Sequence, residues 1–193
     1  NKYRKRLLDL LGVRYILNKN KLLESNYLPD YSVFPKENFK LVWQKSPWQI
    51  YENMNALSRV FLASEYIVEK DKEKIIQMIF DDEFNLKEKV LLEEQIYPKM
   101  DFSKDKDAKV EMEMYKPNEI VLKTSASENM LLFISDNYYP GWKVSIDGGN
   151  GKIYRANYSF RAVPVVKGNH EVIFSYYPDS FDLGLKISLI TFA

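Results

Sequence analysis

The residues best suited to chemistry sit close together late in the chain: Tyr138, Tyr139 and Trp142, then Arg155, Asn157, Tyr158 and Arg161. Aromatic faces stack on the C–H surfaces of sugars, while Arg and Asn side chains hydrogen-bond hydroxyls or phosphates. Such a set could form a glycan-binding platform. It also makes a packing motif, with Trp142 filling a core, tyrosine hydroxyls tying down a turn and the arginines stacked on rings. Residue types alone leave both roles open.

Other reactive constellations are thin. The single histidine, His170, lies in a Gly168-Asn169-His170 turn, and no serine stands in a nucleophile-elbow setting. With no cysteine and one histidine, a zinc site lacks its ligands. Asp147-Gly148-Gly149-Asn150-Gly151 has too few carboxylates for a Ca²⁺ loop and reads as a glycine-rich hairpin turn. Glycosyl transfer needs a base for the acceptor hydroxyl. However, Asp81-Asp82-Glu83 at a helix end and Asp101, Asp105 and Asp107 in a polar stretch read as solvated charge. Asp179 and Asp182 flank an apolar terminal run. No catalytic residue, no metal ligand and no cofactor site is assigned within the chain.

Composition narrows the class. At 193 residues, 46% hydrophobic and 28% charged, the chain can bury one or two cores. Lysine and arginine (28) nearly balance aspartate and glutamate (27), which argues against nucleic acid as a partner. The absence of cysteine rules out a disulfide framework and leaves the compartment open. Lys2, Arg4, Lys5 and Arg6 form a basic helix face that is either solvated or turned to anionic headgroups.

The elements that must position the aromatic set follow from periodicity. Tyr3 to Leu11 has helical spacing and stops at Gly12, followed by a strand over Val13–Leu17. Residues 22–35 read as irregular. Strands over Phe39–Gln44 and Gln49–Glu52 flank a Ser46-Pro47 turn, and Phe61–Val68 leads to a helix over Lys72–Phe80 and a strand over Lys87–Gln95. Met100 to Asp107 is polar and aperiodic, which marks a linker. Beyond it the pattern is purely β, with strict alternation over Lys109–Tyr115 and Glu119–Ser125 and an apolar central strand over Asn129–Ser135. The expected fold class is α+β: a mixed α/β subdomain over 1–100, a linker at 101–107 and an antiparallel, jelly-roll-like β-sandwich over 108–182. Residues 183–193 read as the start of a truncated transmembrane segment, with a final buried strand as the alternative.

Four motifs occur in one order: Tyr139-Pro140-Gly141-Trp142, the Asp147-Gly148 turn, Arg155-Ala156-Asn157-Tyr158-Ser159-Phe160-Arg161-Ala162-Val163, and Gly168-Asn169-His170-Glu171-Val172-Ile173-Phe174-Ser175-Tyr176-Tyr177-Pro178. In this order they resemble the C-terminal extracytoplasmic domain of the YfhO-like family of bacterial polytopic membrane proteins. Leu10-Leu11-Gly12-Val13-Arg14-Tyr15-Ile16-Leu17 and the block Tyr51–Phe61 are also similar to that family, although Ser58 and Val60 stand where Pro and Ala are common. The resemblance implies a membrane glycosyltransferase that takes sugar from an undecaprenyl-phosphate carrier and modifies a cell-surface polymer such as lipoteichoic acid in a Gram-positive cell. It implies catalytic residues outside this chain, and a soluble domain on the extracytoplasmic face that binds acceptor glycan. The alternatives are a non-catalytic scaffold that docks cell-envelope partners, and a free-standing hydrolase, which would need a buried carboxylate pair in a cleft.

Overall fold

In the computed structural model, residues 2–19 and 29–192 are described, and the chain divides into two compact units at Arg59/Val60. Much of the stretch expected to be irregular therefore lies outside the described residues.

The first unit carries helix α1 (Lys2–Leu10) and strands β1 (Tyr15–Lys19), β2 (Phe39–Lys45) and β3 (Trp48–Asn53), in an antiparallel sheet of order β1-β3-β2. Gly12 ends the helix at φ 65°, and a Cβ there would lie 2.9 Å from the Leu57 carbonyl oxygen. Phe34 stacks on Tyr51 at 4.3 Å and meets Phe39 edge-on at 5.5 Å, which makes a small aromatic core. The Tyr51 hydroxyl accepts from the Asp30 N–H and donates to Gln49 Oε1. The face of α1 differs from the one its spacing predicts. Tyr3, Leu7 and Leu11 are exposed, while Asp9 and Leu10 are buried. Asp9 can be buried because Asn53 Nδ2 donates to it at 2.8 Å, which meets the requirement that a buried carboxylate be paired.

The second unit begins with β4 (Val60–Ala63), β5 (Glu65–Val68), α2 (Lys72–Ile79) and β6 (Lys89–Leu92). It continues with β7 (Lys109–Lys116), β8 (Glu119–Ala126), β9 (Met130–Ile134), β10 (Trp142–Ile146) and β11 (Gly149–Asn150). β12 (Tyr154–Ala156), β13 (Phe160–Val165), β14 (Gly168–Tyr176) and α3 (Asp179–Phe192) complete it. One sheet has the order β11-β10-β14-β8-β7 and the other β4-β9-β13-β12-β6-β5. Ile120, Leu122, Val144, Val172 and Phe174 from the first share one core with Val60, Leu132, Ile134, Val163 and Val165 from the second. β9 is buried along its whole length, as its continuous apolar run predicts.

The expected boundary at residue 100 is corrected here. β4, β5 and β6 join the sheet of β9, β12 and β13, because Val60–Ala63 pairs with Leu131–Ile134 and Ala156 pairs with Leu92. The predicted single strand over Phe61–Val68 breaks at Ser64 into strands at the two ends of the six-stranded order. In a flat sheet of six strands those ends would be about 24 Å apart. One intervening residue cannot span that distance, so the sheet curls back on itself.

The expected linker is also tied down. Asp105 Oδ2 accepts from the Ser127 N–H at 2.6 Å, Asn129 Nδ2 donates to the Asp101 carbonyl, and Phe102 meets Tyr66 edge-on. β7 to β14 pair antiparallel, whereas β5 and β6 run parallel across α2. The protein is thus β-rich α+β. Among the described residues no helix is long and apolar enough to cross a membrane. α3 nevertheless leaves Phe181, Leu183, Ile187 and Ile190 exposed.

Candidate functional site

The aromatic and cationic residues gather at one end of the second unit, where β10 starts and β14 ends. Trp142 stands opposite Tyr176 in the β10–β14 ladder, their rings 5.4 Å apart. Arg161 has the same strand parity as Val163 and Val165, so its side chain enters the space between the sheets. It is 1% exposed. Its guanidinium lies 4.3 Å over Trp142 and 5.3 Å over Phe174, and Nη2 donates to Asp136 Oδ2 at 3.1 Å. Nε and Nη1 are buried without a hydrogen-bond partner among the described residues. Burial pulls the guanidinium pKa below its ordinary value, and Asp136 opposes that shift. The cation is held by one carboxylate and by the π-faces beside it.

Asp136 also accepts from the Tyr115 hydroxyl at 3.2 Å. Arg155, the cross-strand partner of Arg161, lies 4.9 Å over the Tyr138 ring, with Glu93 at 3.7 Å. The turn Tyr138–Gly141 is anchored at both ends, because the Tyr138 N–H donates to the Ser159 carbonyl and the Tyr177 N–H to the Gly141 carbonyl. Gly141 has φ 99°, and a Cβ there would fall 3.1 Å from Pro178 Cα and 3.0 Å from the Tyr176 ring.

Two open depressions share Tyr139 and Trp142. One, of about 460 Å³, is lined by Tyr138, Tyr139, Trp142, Lys143 and Lys152. The other, of about 400 Å³, has Asp136 and Arg161 with Tyr115, Tyr139 and Tyr176 around them. The first is bordered by Lys143 and by Lys152, which pairs with Glu94 at 2.8 Å, and the second holds the Arg161–Asp136 ion pair.

Not every residue expected at the site belongs to it. Tyr138, Tyr139, Trp142, Arg155 and Arg161 come together. Asn157 instead stitches the sheet: its N–H donates to the Leu91 carbonyl, its Oδ1 accepts from the Leu91 N–H, and it is 1% exposed. Asn157 at φ 43° and Tyr158 at φ 76° form the tight β12–β13 turn, and neither borders a depression. Trp142 and Arg161 are also packing residues, as the alternative reading of the motif had it. Asp136, Tyr115 and Tyr176 were missed by sequence reasoning. Asp136 had a signal, since it is a carboxylate just beyond the wholly apolar β9, where only a buried partner would hold it.

At the other end of the β10–β14 ladder, His170 Nδ1 lies 2.6 Å from Asp147 Oδ2, and Asp147 Oδ1 accepts from the Glu171 N–H. The hydrogen bond to Asp147 raises the His170 pKa above its ordinary value and lowers that of Asp147. Asp147 at φ 49° and Gly148 at φ 80° make the expected hairpin turn between β10 and β11. Among the described residues no group of His, Cys, Asp and Glu is placed to hold a metal ion.

These motifs and this β-rich unit define a domain of a bacterial membrane protein. The chain matches the family described as "Bacterial membrane protein YfhO" over residues 69–188, which includes every residue of the two depressions that together form the mouth at this end of the unit, and it belongs to that family. It is 26% identical over 87 residues to the uncharacterized protein YfhO of Bacillus subtilis (strain 168), a match covering 45% of this chain and 10% of that relative. The matched segment is thus a small part of the relative's length. No solved structure matches the chain.

Proposed function

We propose that this chain is the extracytoplasmic part of a membrane glycosyltransferase, and that it binds and positions a cell-surface acceptor such as lipoteichoic acid. In this reading the donor is an undecaprenyl-phosphate-linked sugar, and transfer takes place in membrane-embedded parts of the parent protein. The observation that best supports acceptor binding is the Tyr139–Trp142 ridge, with lysines on one side and a carboxylate on the other. A polymer carrying both phosphates and sugars offers partners to both sides. The exposed apolar residues of α3 favour membrane attachment.

The test is titration of the chain with purified lipoteichoic acid, followed by tryptophan fluorescence and amide NMR shifts. Saturable binding that weakens in Arg155→Ala and Tyr138→Ala variants that remain folded is expected. Failure of the folded chain to bind would refute acceptor recognition.

One observation favours the scaffold reading. Tyr15, Leu17, Trp43 and Trp48 are exposed in the β1-β3-β2 sheet, where Leu17 and Trp43 both register with Ile50. A contiguous exposed apolar face of this kind marks docking surfaces. If Trp43→Ser with Trp48→Ser abolishes activity of the full-length protein while polymer binding is intact, docking is that face's role.

A further inference from the structure

We propose that the depression around Asp136 is a subsite for an uncharged sugar residue, and that phosphate groups are excluded from it. This deepens the acceptor-binding reading and rests on it. Three observations carry the inference.

The first is charge. The Arg161 guanidinium is the cation of this depression, and it is committed to Asp136 at 3.1 Å and to the Trp142 and Phe174 rings. A phosphate arriving here would meet the Asp136 carboxylate. Lys143 and Lys152 lie across the ridge and border the other depression, where Lys152 also pairs with Glu94 at 2.8 Å. The second is shape and surface. Tyr115 and Tyr139 are 51% and 62% exposed and border the depression, so aromatic surface is open to a ligand there. Tyrosine rings suit the C–H faces of a pyranose, which gain from contact with apolar and π surface. The third is polar capacity. A carboxylate accepts from sugar hydroxyls, and its hydrogen bonds to hydroxyl donors are charge-assisted and short. The Asp136 carboxylate is oriented beforehand by Arg161 and Tyr115, so little ordering remains to be done when a ligand arrives.

The ridge therefore divides the polymer by chemistry, with glycosyl groups on the Asp136 side and phosphates on the lysine side. Tyr139 and Trp142 border both depressions, and the more exposed Tyr139 ring is the contact that both halves of the ligand share.

The experiment uses the chain as described and two kinds of probe: the methyl glycosides of glucose, galactose and N-acetylglucosamine, and sn-glycerol 1-phosphate. Saturation-transfer NMR reports contact, and titration reports affinity. At least one glycoside should bind, and about tenfold more weakly to Tyr139→Ala and to Tyr115→Ala. Both substitutions are at exposed rings, so folding is retained. Lys143→Gln with Lys152→Gln should weaken glycerol phosphate binding. The proposal is overturned if no glycoside binds, if the two tyrosine variants bind glycosides as the parent does, or if glycerol phosphate competes directly with the glycoside. Polymer binding without glycoside binding would remove this subsite and leave acceptor recognition standing. Glycoside binding without polymer binding would do the reverse.

Discussion

The β10–β14 ladder carries a cation–carboxylate pair at each end, and the two pairs are built in opposite ways. At the mouth, the Arg161 and Asp136 side chains are 2% and 14% exposed, and the cation is wrapped by aromatic rings. At the far turn, His170 is 14% exposed but its partner, the Asp147 carboxylate, is 51% exposed. A buried ion pair stabilises little relative to apolar packing, but it is costly to break because the surviving charge has nowhere to go. A pair with one partner in solvent is cheaper to lose and follows pH. The mouth is thus a fixed arrangement that specifies where Trp142 and Asp136 stand, whereas the far turn is a local clamp on a hairpin.

The largest expected effect comes from breaking the mouth pair. Asp136→Ala leaves the guanidinium buried and unpaired and should cost about 3 kcal/mol in urea unfolding. The double variant Asp136→Leu with Arg161→Met should lose less than Asp136→Ala alone. If Asp136→Ala unfolds at the parent's urea midpoint, the contrast between the two ends collapses.

Next is Gly141→Ala, whose methyl would be forced against Pro178 Cα and the Tyr176 ring at a left-handed φ. A loss of about 2 kcal/mol is expected, read from the shift in unfolding midpoint. Gly148→Ala, also at positive φ but with no atom within 4 Å of the added Cβ, should cost less and so sharpen the comparison.

Asn157→Gly keeps access to the positive φ and removes the buried side chain, including the acceptor for the Leu91 N–H. It should cost about 1 kcal/mol. If the residue were a ligand contact instead, this variant would keep its stability and lose binding.

The smallest effect belongs to the far turn and depends on pH. The raised His170 pKa means that its contribution is complete below the ordinary value of 6.5 and is lost as pH rises through the higher folded value. The lowered Asp147 pKa means that its contribution is present above 3.8 and disappears as pH falls through the lower folded value. The stability difference between the parent and His170→Gln should therefore be greatest between pH 3.8 and 6.5 and shrink on either side. His170 is the sole histidine, so NMR titration of its ring gives the folded pKa directly. A value below 6.5 would contradict the pairing.

Local pattern made much of the second unit readable. The apolar run of β9, the Asp147-Gly148 turn and the alternation in β7 each act over a few residues, and each lies where expected, whereas β8 departs from alternation by burying Ile120, Val121 and Leu122 in a row. What escaped the sequence depends on distant pairing. Ser64 gives no sign that it separates two strands destined for opposite ends of one sheet, and the polar run from Met100 looks like a linker until Ser127 and Asn129 meet it. The site divides in the same way. Its aromatic and basic members are visible as a cluster in sequence. Asp136, just after β9, meets Tyr115 of β7 only when the two sheets come together, and Asn157 reads as a ligand-type side chain until its partner Leu91 is known.

The Gly141 carbonyl, tied to the Tyr177 N–H just ahead of α3, joins the rim of the mouth to the root of that helix. With Pro178 packed where a side chain at 141 would go, this joint has no slack. The rim of the mouth and the start of the helix therefore share one fixed joint, next to the Trp142–Tyr176 pair of the β10–β14 ladder.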